Sequence, residues 1–149
     1  MYFCEFIFDL ESVLIRHENK MEINKSIADF ICKNRNKCYI ITKLSPESVS
    51  KIICTINMED RTYYYLKKRG YVSNCKKNIT DIYDRILEME NKRIMVIVSG
   101  SIEKMLLFSN INIRIAFCVS QYIAGNVFEY ADYVIYNEDK LVDFLYRLG

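Results

Sequence analysis

Two carboxylates, Asp9 and Glu11, follow directly on an apolar run, Tyr2-Phe3-Cys4-Glu5-Phe6-Ile7-Phe8. The run is aromatic and β-branched with one interrupting charge, as in a strand buried on both faces at the centre of a parallel sheet. Strand periodicity places Asp9 and Glu11 on the same side of the chain as it leaves the sheet. Open α/β sheets bind ligands in the crevice beyond the carboxyl ends of their strands. A carboxylate pair at that point can act as nucleophile and acid/base, or as metal ligands. The plainer alternative is two acids capping a strand end in solvent.

The elements that would position this pair alternate along the chain. Ile15 to Ile23 reads as a small flap hairpin around a polar Glu-Asn-Lys turn, and Ser26 to Asn34 as a helix with Ile27, Phe30 and Ile31 on one face. Cys38 to Thr42 is a second buried strand. Ser45-Pro46-Glu47 is a helix start, with Ser as N-cap, Pro at the first helical position and an acid in the first turn. Thr62 to Leu66 is a third strand, and a helix opening at Asn78 carries Ile79, Ile82, Tyr83, Ile86 and Leu87 at helical spacing. Arg93 to Val98 is a fourth strand, ending at Ser99-Gly100-Ser101, and a short helix with Met105 and Leu106 follows. Ile111 to Phe117 is a fifth strand, Ser120 to Tyr130 a helix, and Asp132 to Tyr136 a sixth strand. A last helix carries Leu141, Phe144, Leu145 and Leu148. Strands alternating with helices imply right-handed crossovers and an α/β fold: a Rossmann-like parallel sheet of five to six strands with helices on both faces.

Composition narrows the class. The chain has 149 residues, 51% hydrophobic and 27% charged, with no repeat, low-complexity tract or linker, so a single domain over 1–149 is expected. A net charge of +2 does not by itself argue for nucleic acid, membrane or acidic partners. The six cysteines, Cys4, Cys32, Cys38, Cys54, Cys75 and Cys118, form no C-x-x-C pair, and His17 is the only histidine. That pattern argues against zinc and for free thiols in a reducing, cytoplasmic compartment. No apolar run approaches transmembrane length.

The segment Phe6-Ile7-Phe8-Asp9-Leu10-Glu11-Ser12-Val13-Leu14 resembles the first motif of the haloacid-dehalogenase (HAD) superfamily of phosphohydrolases, a hydrophobic strand followed by D-x-D-x-[TV]. Glu11 stands where the second Asp belongs. The resemblance implies a Ser or Thr at the end of the second strand to hold phosphate, and Thr42 stands there. It implies a Lys ahead of the helix before the fourth strand, where Lys76 and Lys77 stand, Lys76 being favoured by its offset to Ile79. Its fourth motif, G-D-x-x-x-D after a strand, falls on Val98-Ser99-Gly100-Ser101-Ile102-Glu103-Lys104. There Gly100 and Lys104 replace the two metal-binding Asp residues, leaving Glu103 as the nearby acid. The phrase Ala131-Asp132-Tyr133-Val134 matches the family's late strand. About a dozen residues separate the first motif from the next helix, which leaves no room for a cap domain. The resemblance is therefore to the capless branch, including small sugar-acid phosphatases that oligomerise.

What the resemblance implies is a phosphatase in which Asp9 attacks phosphorus to form a phosphoaspartate and Glu11 is the acid/base. Thr42 with Lys76 or Lys77 would hold the phosphoryl oxygens, and Mg²⁺ would bridge Asp9, phosphate and Glu103. The substrate would be a phosphorylated small molecule or macromolecule, and the protein a homo-oligomer or part of a larger assembly. The altered fourth motif sets a second class beside the first: a phosphatase fold whose catalysis has lapsed, a pseudoenzyme acting as a binding or assembly subunit. Losing one electrostatic stabiliser of a transition state costs on the order of a hundredfold to a thousandfold in rate. The segment 61–77 adds a nucleic-acid candidate, with Tyr63, Tyr64, Tyr65 and Tyr71 among Lys67, Lys68, Arg69, Lys76 and Lys77. Aromatics interleaved with basic residues can grip RNA through stacking and phosphate contacts. The alternative is a packed strand followed by a solvated loop.

Overall fold

The computed structural model describes residues 3–17, 22–42, 44–55, 93–101, 106, 111–117 and 127–148. The strands are β1 (Phe3–Asp9), β2 (Ile15–His17), β3 (Glu22–Ile23), β4 (Cys38–Ile41), β5 (Arg93–Ser99), β6 (Ile113–Phe117) and β7 (Tyr133–Ile135). The helices are α1 (Lys25–Lys33), α2 (Pro46–Thr55), α3 (Val127–Tyr130) and α4 (Glu138–Leu148). Among the described residues, five strands form one sheet in the order β4-β1-β5-β6-β7, and every neighbouring pair is parallel. This is the expected Rossmann-like α/β architecture, with β1 between β4 and β5.

Alternation along β1 explains why the sheet can be buried at its centre. Phe6 and Phe8 share one face, where Phe30 of α1 meets their rings edge-on at 5.3 and 6.0 Å. Tyr146 of α4 closes on Phe30 at 4.9 Å. Each fully buried aromatic contributes roughly 1.5–3 kcal/mol through area removed from water, and edge-on ring pairs add about 0.5–1.5 kcal/mol. The opposite parity holds Ile7, fully buried, and Glu5, whose carboxylate accepts a hydrogen bond from the Tyr39 hydroxyl of β4 at 3.0 Å. That bond accounts for a charge in the middle of a core strand, since a buried carboxylate without a donor is costly.

The hairpin at Ile15 to Ile23 is present as the antiparallel pair β2–β3, with Ile15 opposite Ile23. Asn24 anchors its base: its side-chain amide donates to Val13 O at 2.6 Å and its backbone N–H to Leu14 O at 3.0 Å. Ser45 caps α2 as its sequence indicates, its hydroxyl accepting the Ser48 N–H at 3.2 Å. β6 begins two residues later than expected because Asn112 leaves the ladder. Its side-chain oxygen accepts the Met95 N–H at 2.9 Å in place of a strand carbonyl. Asp132 ties the last two strands together, accepting the Arg114 N–H at 2.8 Å while its own N–H donates to Arg114 O at 2.8 Å. The strand expected over 62–66 and the helix expected from Asn78 lie outside the described residues, and around Met105 only Leu106 is described.

Candidate functional site

The sheet register brings three strand tips level. Asp9 pairs with Ile41, so Thr42 is the next residue out on β4. Phe8 pairs with Val98, so Ser99 stands beside Asp9 on the other flank. Among the described parallel strands the chain order reads 2-1-3-4-5 across the sheet, so its direction reverses at β1 and β5. In doubly wound sheets that reversal opens the ligand crevice.

The chain turns sharply after Asp9. Leu10–Leu14 forms a single π-type turn, closed by the Ile15 N–H donating to Leu10 O. Turns of this type occur often at functional sites because they re-aim side chains. Two-residue strand periodicity therefore stops at Asp9, and Glu11 is not its partner on a strand face. The turn instead folds Ser12 back so that its hydroxyl donates to Asp9 Oδ2 at 2.8 Å. From the other flank the Ser99 hydroxyl donates to the same oxygen, also at 2.8 Å. Glu11 faces the opposite way, its Oε1 accepting the Thr42 hydroxyl, whose oxygen accepts the Leu44 N–H at 3.0 Å. Asp9, Thr42 and Ser99 are all buried, at 3%, 0% and 0% exposure.

Backbone amides fix the direction of the two serine protons. Gly100 N–H donates to Ser12 Oγ at 2.9 Å, and Ser101 N–H donates to Ser99 Oγ at 3.0 Å. Each hydroxyl has one proton, and each spends it on Asp9. The 3.4 Å approach of the two hydroxyl oxygens is then a packing contact between acceptors. Hydrogen bonds to a carboxylate are shorter and stronger than neutral ones, so Asp9 is held by both flanking segments.

The structure thus brings Asp9, Glu11 and Thr42 to one end of the sheet, with Asp9 bonded to Ser12 and Ser99 and Glu11 bonded to Thr42. Gly100 lies beside them without a side chain to offer. Lys76, Lys77, Glu103 and Lys104 lie outside the described residues, as does the basic and aromatic segment 61–77. Ser12 and Ser99 were missed by motif reasoning. The signal that finds Ser99 is register: the residue after Val98 must stand level with the residue after Phe8.

The resemblance implies Mg²⁺, which takes near-octahedral oxygen ligands with one or two carboxylates. The described groups on the Asp9 Oδ2 side are hydroxyl donors, and Glu11 is bonded to Thr42. Among the described residues, no group of three or more His, Cys, Asp or Glu is placed to hold a metal. Asp9 Oδ1 is buried and accepts no hydrogen bond, and Glu103, the other carboxylate expected to hold the cation, lies outside the described residues. Nor, among the described residues, is any helix long and apolar enough to cross a membrane.

No family model and no curated protein matches the sequence. Solved structures do match in shape. One is the cobalt-bound form of the deoxy-D-mannose-octulosonate 8-phosphate phosphatase from Haemophilus influenzae, at a TM-score of 0.60 and 8% identity, covering 98% of this chain and 88% of that one. Another is a protein from Legionella pneumophila assigned to the HAD superfamily hydrolases, subfamily III A, at a TM-score of 0.51 and 12% identity, covering 88% and 71%. At such identities the likeness is one of fold. The fold of this chain is that of the HAD superfamily hydrolases.

Proposed function

We propose that this chain is a single-domain, capless phosphatase-fold protein in which metal-dependent hydrolysis has lapsed and which works as a binding or assembly subunit. One observation carries the reading: the polar groups at the strand tips are bonded to one another. Thr42, the residue suited to hold a phosphoryl oxygen, gives its proton to Glu11, and Asp9 accepts protons from both Ser12 and Ser99. A carboxylate oxygen that accepts two hydroxyl protons is a poorer nucleophile and a poorer metal ligand. Gly100 adds no carboxylate where phosphoryl transfer would need positive charge held in place. The connection from β1 to α1, occupied by the π-type turn and the β2–β3 hairpin, supports the capless reading.

The test is p-nitrophenyl phosphate hydrolysis with Mg²⁺, wild type against Asp9→Asn. Equal rates for the two proteins are expected. Mg²⁺-dependent turnover that disappears in Asp9→Asn overturns the reading. That result would establish the second one, a slow Mg²⁺-dependent phosphomonoester hydrolase acting through a phosphoaspartate on Asp9. The position of Asp9 at the carboxyl end of a central strand, level with Thr42, favours it.

A further inference from the structure

We propose that the groove between β7 and α4 takes an extended peptide of a partner protein, with the pattern acid-x-apolar-x-acid, as one further strand on the sheet. The groove lies at the sheet margin, three strands from Asp9, and the inference holds whether or not that carboxylate turns over. β7 ends the sheet, and no described strand flanks its outer side. The Asp132 N–H donates to Arg114 O on β6. Main-chain direction alternates along a strand, so Tyr133 and Ile135 turn their N–H and C=O groups away from β6. Such a row at a sheet margin is a template for strand addition.

The helix beside the margin sets what the new strand must carry. Tyr133 meets the Phe144 ring at 4.9 Å, so Tyr133 and Ile135, which share one face of β7, look toward α4. A groove of about 430 Å³ opens there, lined by Ile135, Tyr136, Lys140, Asp143, Phe144 and Arg147, a volume within the range of ligand clefts. Ile135 and Phe144 make its middle apolar. Lys140 and Arg147 stand two turns apart on one side of α4, about 10 Å along its axis. On an extended peptide, residues i and i+4 face the same way about 13 Å apart. Acids at those two places reach both cations, while the residue midway between them rests on Ile135 and Phe144. Asp143, between the cations, disfavours a third acid at the centre. Lys140 and Arg147 are exposed, so the charge pairs set the choice of peptide and the main-chain bonds give most of the affinity.

The experiment is fluorescence anisotropy of a labelled peptide, Thr-Glu-Thr-Val-Thr-Glu-Thr, titrated with the full chain. A second peptide carries lysine in place of both glutamates, and amide hydrogen exchange is read on the complex. Wild type is expected to bind the glutamate peptide at least about tenfold tighter than the lysine peptide, with the Tyr133 and Ile135 amides exchanging more slowly once it is bound. Lys140→Glu and Arg147→Glu each weaken the glutamate peptide about threefold to tenfold. Ile135→Pro, which removes an outward N–H and spares the ladder with β6, abolishes binding. The two charge variants sit at exposed positions, so they decide the matter even where Ile135→Pro does not fold. Four results overturn the proposal: no binding of the glutamate peptide, equal binding of the two peptides, charge variants that bind as wild type does, or binding without slower exchange at Tyr133 and Ile135. A free chain that is dimeric in sedimentation equilibrium and monomeric as Ile135→Pro also overturns it, since a second copy then fills the margin. Phosphate hydrolysis through Asp9 removes the lapsed-catalysis reading alone.

Discussion

Residues at the crevice are set by hydrogen-bond accounting, and one buried thiol shows the same logic elsewhere. The sequence puts Asp9 and Thr42 at the ends of two apolar strands, and the structure sets those two ends side by side. Glu11 was legible by type but not by direction, since the π-type turn that carries it leaves no period-two trace. Ser12 and Ser99 are ordinary residues until register makes them neighbours of one oxygen. Cys4, on β1, donates its thiol to Leu148 O at 3.0 Å, tying the end of α4 to the sheet. Burial pushes this thiol above its usual 9.0, against the opposing pull of Lys37. The folded form thus keeps its proton at a pH where the unfolded chain has lost it. The stability this gives is complete below 9.0 and declines as pH rises through the raised folded value. Urea unfolding followed upward from pH 9.0 should show wild type losing stability more steeply than Cys4→Ala; parallel curves would contradict it.

Elements were read best where their ends carry chemistry. Ser45-Pro46 gave the start of α2, and Asp132 marked the junction of β6 and β7, because caps and strand ties depend on particular side chains. The start of β6 was harder, since a side-chain amide can substitute for a strand carbonyl without disturbing the apolar pattern that precedes it. Asn137 provides a direct check. Its side-chain oxygen accepts the Asp139 N–H at 2.8 Å and the Lys140 N–H at 3.2 Å, and its carbonyl accepts Leu141 N–H at 3.0 Å. It is the N-cap of α4, followed by Glu138 and Asp139 in the first turn. Asn137→Ala should lower the unfolding free energy by about 1 kcal/mol in chemical denaturation. Asn137→Ser should recover most of that loss.

At the scale of the whole molecule, strand order matters more than any single motif. The alternation of strands and helices implied a parallel sheet from the sequence alone, and the order β4-β1-β5-β6-β7 then decides where the crevice lies. That order could not be read from periodicity, which is blind to which strands are neighbours. It is supplied by the structure, whose shape matches solved structures at 8% and 12% identity. The crevice is lined with hydroxyls and amides on the flank where Gly100 stands, and that lining carries the functional account. A crystal of the protein soaked in Mg²⁺ and BeF₃⁻, which mimics a phosphoryl group on a carboxylate, tests it most directly. The account predicts neither Mg²⁺ nor BeF₃⁻ at Asp9, with Ser12 and Ser99 still donating to Oδ2. A beryllofluoride on Asp9 beside a bound Mg²⁺, with the two serines displaced, would contradict it.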